Sequence, residues 1–149
     1  MVKKTIKRRP SKNKTVRKLA HNFEQEIVVK FLQILNMIKL YHWKTYSYAT
    51  HKATDELYSK LNENVDDFIE VLLGKMYGNR INLINVHTIS LVDLTSPEEL
   101  KRELDNFKTY LISLDTYLFM KQMSNTDLYN IRDELLANIN QFLYLLTFK

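Results

Sequence analysis

The chain has 149 residues, 45% of them apolar, enough for one packed core and one domain. Cysteine is absent, which excludes disulfides, thiolate metal sites and cysteine nucleophiles, and only two glycines and two prolines occur, which argues for long helices with few tight turns. The net charge of +5 is unevenly placed: residues 1–18 hold nine Lys or Arg and no acid, leaving 13 bases against 17 acids elsewhere, so a mildly acidic body carries a basic arm.

The arm, residues 1–16, is polar and has too little apolar surface to fold alone. Residues 17–149 form the expected helical domain. Apolar residues at helical spacing, Leu19, Phe23, Ile27, Phe31, Leu35, Ile38 and then His42, predict a first helix over about 16–45. Ser47 is the expected N-cap of a second helix that runs to about Gly74 with a core stripe of Leu57, Leu61, Val65, Phe68 and Leu72. Residues 75–95 break the pattern and read either as short strands or as an extended crossing segment. Ser96-Pro97-Glu98-Glu99 combines an N-cap, a proline at the first helical position and a capping glutamate. The third helix then follows Leu100, Leu104, Phe107, Leu111, Leu114 and Leu118. Ser124 with Asp127 opens a fourth, striped by Leu128, Ile131, Leu135, Ile139, Phe142 and Leu146. Two short links around one long connection predict an all-α fold, two antiparallel hairpins joined by a crossover, which is the ferritin-like four-helix arrangement.

The second helix also carries a polar stripe. His51 and Asp55 are four residues apart, as are Asp66 and Glu70, and at 100° per residue the four positions fall within about 100° of one another. Carboxylates beside an apolar stripe are costly unless paired, hydrated or metal-bound. Asp55 and Asp66 are separated by about 16 Å along one helix, so they cannot share an ion within one chain. A two-fold axis through the stripe would lay His51/Asp55 of one copy against Asp66/Glu70 of another and create two equivalent sites. Imidazole nitrogen with carboxylate oxygen suits ferrous iron, with zinc or manganese as competitors. The in-bundle di-iron alternative needs Glu three residues before His; none of His21, His42, His51 or His87 has it. Tyr41, Tyr46, Tyr48 and Tyr58 are read as packing residues.

The series Tyr41-His42-Trp43, His51, Asp55, Asp66, Glu70 resembles the ferroxidase region of the Dps-type mini-ferritins. The run from His51 to Leu61 also looks like a Dps-related family encoded by large DNA viruses. The resemblance implies that His42, His51 and Asp55 are ligands on one subunit and that Asp66 and Glu70 come from its neighbour, Glu70 bridging. Trp43 would lie beside the site and intercept oxidising equivalents. It further implies iron oxidation, assembly as a dimer at least and as large as a dodecamer, and a cytoplasmic or virion-associated protein.

In the arm, Lys3, Lys4, Lys7, Arg8, Arg9, Lys12, Lys14, Arg17 and Lys18 have the composition of a phosphate-binding tail, whose contact with nucleic acid is electrostatic and weakened by salt. A nuclear-import patch around Lys7-Arg8-Arg9-Pro10 and an organellar presequence are the alternatives. No apolar run reaches the roughly 18 residues of a membrane span and no secretory signal is recognisable, so neither a membrane nor an extracellular setting is expected. The rival to an iron-oxidising protein is a DNA-binding or virion structural bundle without metal chemistry.

Overall fold

The computed structural model describes residues 12–76, 80–83, 85–121 and 124–148. Among them every regular element is helical: α1 (Lys12–Lys44), α2 (Tyr48–Lys75), α3 (Pro97–Ser113), a 3-10 turn (Leu114–Thr116), α4 (Leu118–Lys121) and α5 (Thr126–Leu145). The first helix thus begins about four residues before its expected start at residue 16, inside the stretch expected as arm. Lysine and arginine are good helix formers, and extending an anchored helix avoids the cost of nucleation. Lys3, Lys4, Lys7, Arg8 and Arg9, and the side chains of Lys12, Lys14, Arg17 and Leu19, lie outside the described residues; Lys18 is exposed.

Local chemistry sets the helix starts. The Ser47 hydroxyl accepts from Thr50 N–H at 3.2 Å and that of Ser96 from Glu99 N–H at 3.2 Å. The Glu99 carboxylate reaches back one residue further than a simple capping box, accepting from Thr95 N–H at 2.7 Å and from its hydroxyl at 2.9 Å. At α5 the cap position belongs to Asn125, not Ser124, and Asn125 Nδ2 donates to Met120 O at 2.6 Å instead of capping.

The third apolar stripe does not continue to Leu118, which is 59% exposed. Ser113 Oγ donates to Tyr110 O and Thr116 Oγ1 to Ser113 O, each at 2.7 Å, competing with backbone donors for those carbonyls. The helix tightens into the 3-10 turn, Tyr117 turns extended, and the phase resets so that Phe119 and Met120 are buried instead.

Packing has a definite neighbour order. The α1 backbone lies against α2 and α3, α5 lies against α2 and α3, and the diagonal pairs α1/α5 and α2/α3 stay apart. Lys60–Gln141, Asn64–Glu134 and Lys75–Asp127 run α2 antiparallel to α5. Phe31 of α1 sets its ring edge-on to Phe68 of α2 and Phe107 of α3, at 5.3 and 6.2 Å between centroids. All three rings are buried, and such pairs add about 0.5–1.5 kcal/mol each beyond area burial.

The connection between α2 and α3 contains no strand among its described residues. Asn82 N–H donates to the buried Glu24 at 3.1 Å and Gln25 Nε2 donates to Asn82 O at 2.9 Å, while Asp93 pairs with Lys44 at 2.6 Å. From residue 25 to residue 44 of α1 is about 28 Å. The eleven steps from 82 to 93 would span only about 16 Å as helix but about 36 Å when extended. The crossing therefore runs along α1 from Gln25 to Lys44 as mostly extended chain, and among the described residues Asn62, Glu63, Asp66, Asp67 and Glu70 of α2 are exposed.

Candidate metal centre

The link Thr45–Ser47 is only three residues long, so α2 folds straight back on α1 and brings His42 against His51. Their rings stack at 3.8 Å between centroids with 23° between planes. His42 Nδ1 donates to His51 O at 3.0 Å, and His51 Nδ1 donates to His42 O at 3.0 Å. A carbonyl only accepts, so both Nδ1 atoms carry a proton, which in a neutral ring leaves the lone pair on Nε2. The His42 carbonyl lies in the last turn of α1, where the helix supplies no donor, so His51 acts as a side-chain cap there. Thr54, fully buried, donates to Thr50 O at 2.8 Å and lies 3.2 Å from His42 Nδ1.

His42 is 7% exposed, and its Nε2 faces Asp55 Oδ1 at 3.8 Å, beyond hydrogen-bond reach. Fixing Nδ1 on a backbone carbonyl while Nε2 stays open is the arrangement that orients a metal-binding imidazole. The same Asp55 oxygen lies 3.5 Å from Lys39 Nζ, which also sits 4.7 Å above the Tyr58 ring. His42 therefore lies beside both His51 and Asp55 at the N-terminal end of α2. Lys39 and Thr54 were missed by the sequence reading; the available signal was their spacing, three residues before His42 and three after His51.

Asp66 and Glu70 lie further along α2, exposed, and join neither histidine. With Glu63 and Asp67 they form a ridge at i, i+3, i+4 and i+7, and no ion pair among the described residues involves any of the four. Like charges at these spacings destabilise a helix by about 0.2–0.5 kcal/mol per pair. Glu56, by contrast, has Lys60 at 2.8 Å. Among the described residues no group of three or more His, Asp or Glu is placed to hold a metal ion within one chain.

Trp43 is 67% exposed, and Tyr46 and Tyr48 are exposed too, which corrects the reading of those two tyrosines as packing residues; Tyr41 is buried and Tyr58 half-buried against the core. His21 serves locally, 3.5 Å from Glu24 and 3.2 Å from Gln25. No helix among the described residues is long and apolar enough to cross a membrane.

The chain belongs to DUF5856, a family of unknown function, whose model matches residues 42–146. That span contains all five candidate ligands and excludes the basic arm. No curated protein and no solved structure matches the chain.

Proposed function

We propose that the chain is a mini-ferritin-like protein that takes Fe²⁺ as substrate at a site shared by two subunits and associates with nucleic acid through its basic arm. The fold part of this reading is supported by the neighbour order α1–α2–α5–α3 and by the long crossing along α1, which together suit two hairpins joined by a crossover. The observation that carries the site is the His42/His51 pair, with both Nδ1 protons committed and Nε2 of His42 turned to Asp55. His42, His51 and Asp55 would hold the ion from one chain, Asp66 and Glu70 from its partner. Zinc or manganese would fit the same donors.

Iron supplies the redox step: two Fe²⁺ each lose one electron, and the O–O bond of peroxide accepts both and becomes two hydroxides. Dioxygen is the alternative oxidant. Because peroxide is reduced by two electrons, hydroxyl radical is not released near nucleic acid. The carboxylates favour Fe³⁺ by charge, while the neutral imidazoles set affinity for Fe²⁺. The test is Fe²⁺ oxidation by the purified protein with peroxide. Acceleration that is lost in Asp66→Ala/Glu70→Ala supports the reading; no acceleration over buffer defeats it.

One observation favours a second reading. Lys39 already supplies Asp55 with a positive neighbour, which is what a bundle without metal chemistry needs. That protein would bind nucleic acid or line a particle, and would leave DNA at high salt with no metal bound.

A further inference from the structure

We propose that the groove between the start of α2 and the end of α5 binds an amphipathic carboxylate, an acyl chain with one anionic head group. This site stands apart from the metal reading and does not depend on it. The Lys60–Gln141 and Lys75–Asp127 contacts set the antiparallel register of the two helices. Leu145, the last residue of α5, therefore lies opposite about residue 56 of α2. The first two turns of α2, about 12 Å of helix, extend past that point with no helix beside them on the α5 side. Leu146 and Phe148 follow there as non-helical chain, and an open cavity of about 840 Å³ results. Ligand sites commonly fall between about 300 and 1,000 Å³.

The lining divides by chemistry. Ala49, Ala53, Leu145, Leu146 and Phe148 form an apolar wall, in which the two alanines leave room that larger side chains would fill. Phe148 is 63% exposed, so its ring has apolar surface still to be covered. The charges on the rim are not equivalent. Glu56 is paired with Lys60 at 2.8 Å, and Asp55 lies 3.5 Å from Lys39 Nζ. Lys52 is in no ion pair among the described residues, and its ammonium lies 5.8 Å above the Tyr48 ring. The charge left uncompensated on the rim is thus positive. It sits one turn beyond the end of α5 and near the N-terminus of α2, whose dipole also favours an anion. A carboxylate at Lys52, with its chain laid over Ala53 and Phe148 toward Leu145, meets both walls at once. An alkylammonium would face a like charge there, and an alcohol would leave Lys52 unpaired.

The test is titration of the full chain with decanoate in chelator, followed by calorimetry and by backbone amide shifts, beside decanol and decylammonium. One decanoate per chain is expected, bound more tightly than either analogue, with shifts confined to residues 47–59 and 145–148. Lys52→Gln should weaken decanoate about fivefold and leave decanol unchanged. Phe148→Ser, a change at an exposed position, should weaken decanoate and decanol alike. No binding below the concentration at which decanoate forms micelles overturns the site, as do shifts elsewhere on the chain. Equal affinity for decanoate and decanol, tighter binding of decylammonium, or indifference to Lys52→Gln overturns the assigned head group.

Discussion

The two ends of α2 carry similar residues in opposite states of organisation. At the N-terminal end His51 caps α1, His42 is buried on the His51 carbonyl and Thr54, and Asp55 has both His42 and Lys39 within 4 Å. At the other end Glu63, Asp66, Asp67 and Glu70 repel one another with no counter-ion among the described residues. The histidines thus have a structural reason to be where they are, and the ridge has none.

Substitutions at the two ends should move stability in opposite directions. The largest effect is expected at the organised end, where His42→Ala empties a buried position and frees His51; urea unfolding should show a loss of about 2–3 kcal/mol. Thr54→Val, which keeps the volume and removes the hydroxyl from a fully buried site, should cost about 1 kcal/mol in the same assay. At the ridge, neutralising Asp66 or Glu70 as the amide should stabilise the metal-free chain by about 0.2–0.5 kcal/mol each. A loss there above 1 kcal/mol would mean that the acids have structural partners after all. The smallest effect belongs to a carboxylate with a settled local role. Glu99 is held below the usual carboxylate range by the Thr95 N–H and hydroxyl. Its folded-state value is the lower one, so its contribution is present above the unfolded value and disappears as pH falls through the folded one. Acid titration of Glu99→Gln should lack that increment.

Much of this architecture was legible in residue spacing. Ser47 and Ser96 cap as their hydroxyls and positions demand, and the stripes through Phe31, Leu61, Leu104 and Leu135 are buried as the 3.6-residue period requires. What escaped depends on competition or on distance in space. The reset before Leu118 comes from two hydroxyls competing for carbonyls, a choice periodicity does not register. An extended crossing is one of two readings of residues 75–95, and what selects it is the tie of Asn82 to Gln25 and of Asp93 to Lys44 along α1. Tyr46 and Tyr48 looked like packing residues by type, yet one lies in the three-residue link and the other opens α2 at the tip of the hairpin, where both are exposed. Of the candidate site, both His/carboxylate pairs were visible as i, i+4 spacings. The reciprocal histidine bonds and the reach of Lys39 required the fold.

The shared site is tested most directly by mixing two defective chains. His51→Ala/Asp55→Ala and Asp66→Ala/Glu70→Ala should each fail to oxidise Fe²⁺ alone. In a two-fold dimer formed from an equal mixture, half the pairs are mixed and one of their two sites is intact, so about a quarter of the unmodified rate should return. A mixture as inactive as its parents would contradict a site built from two chains.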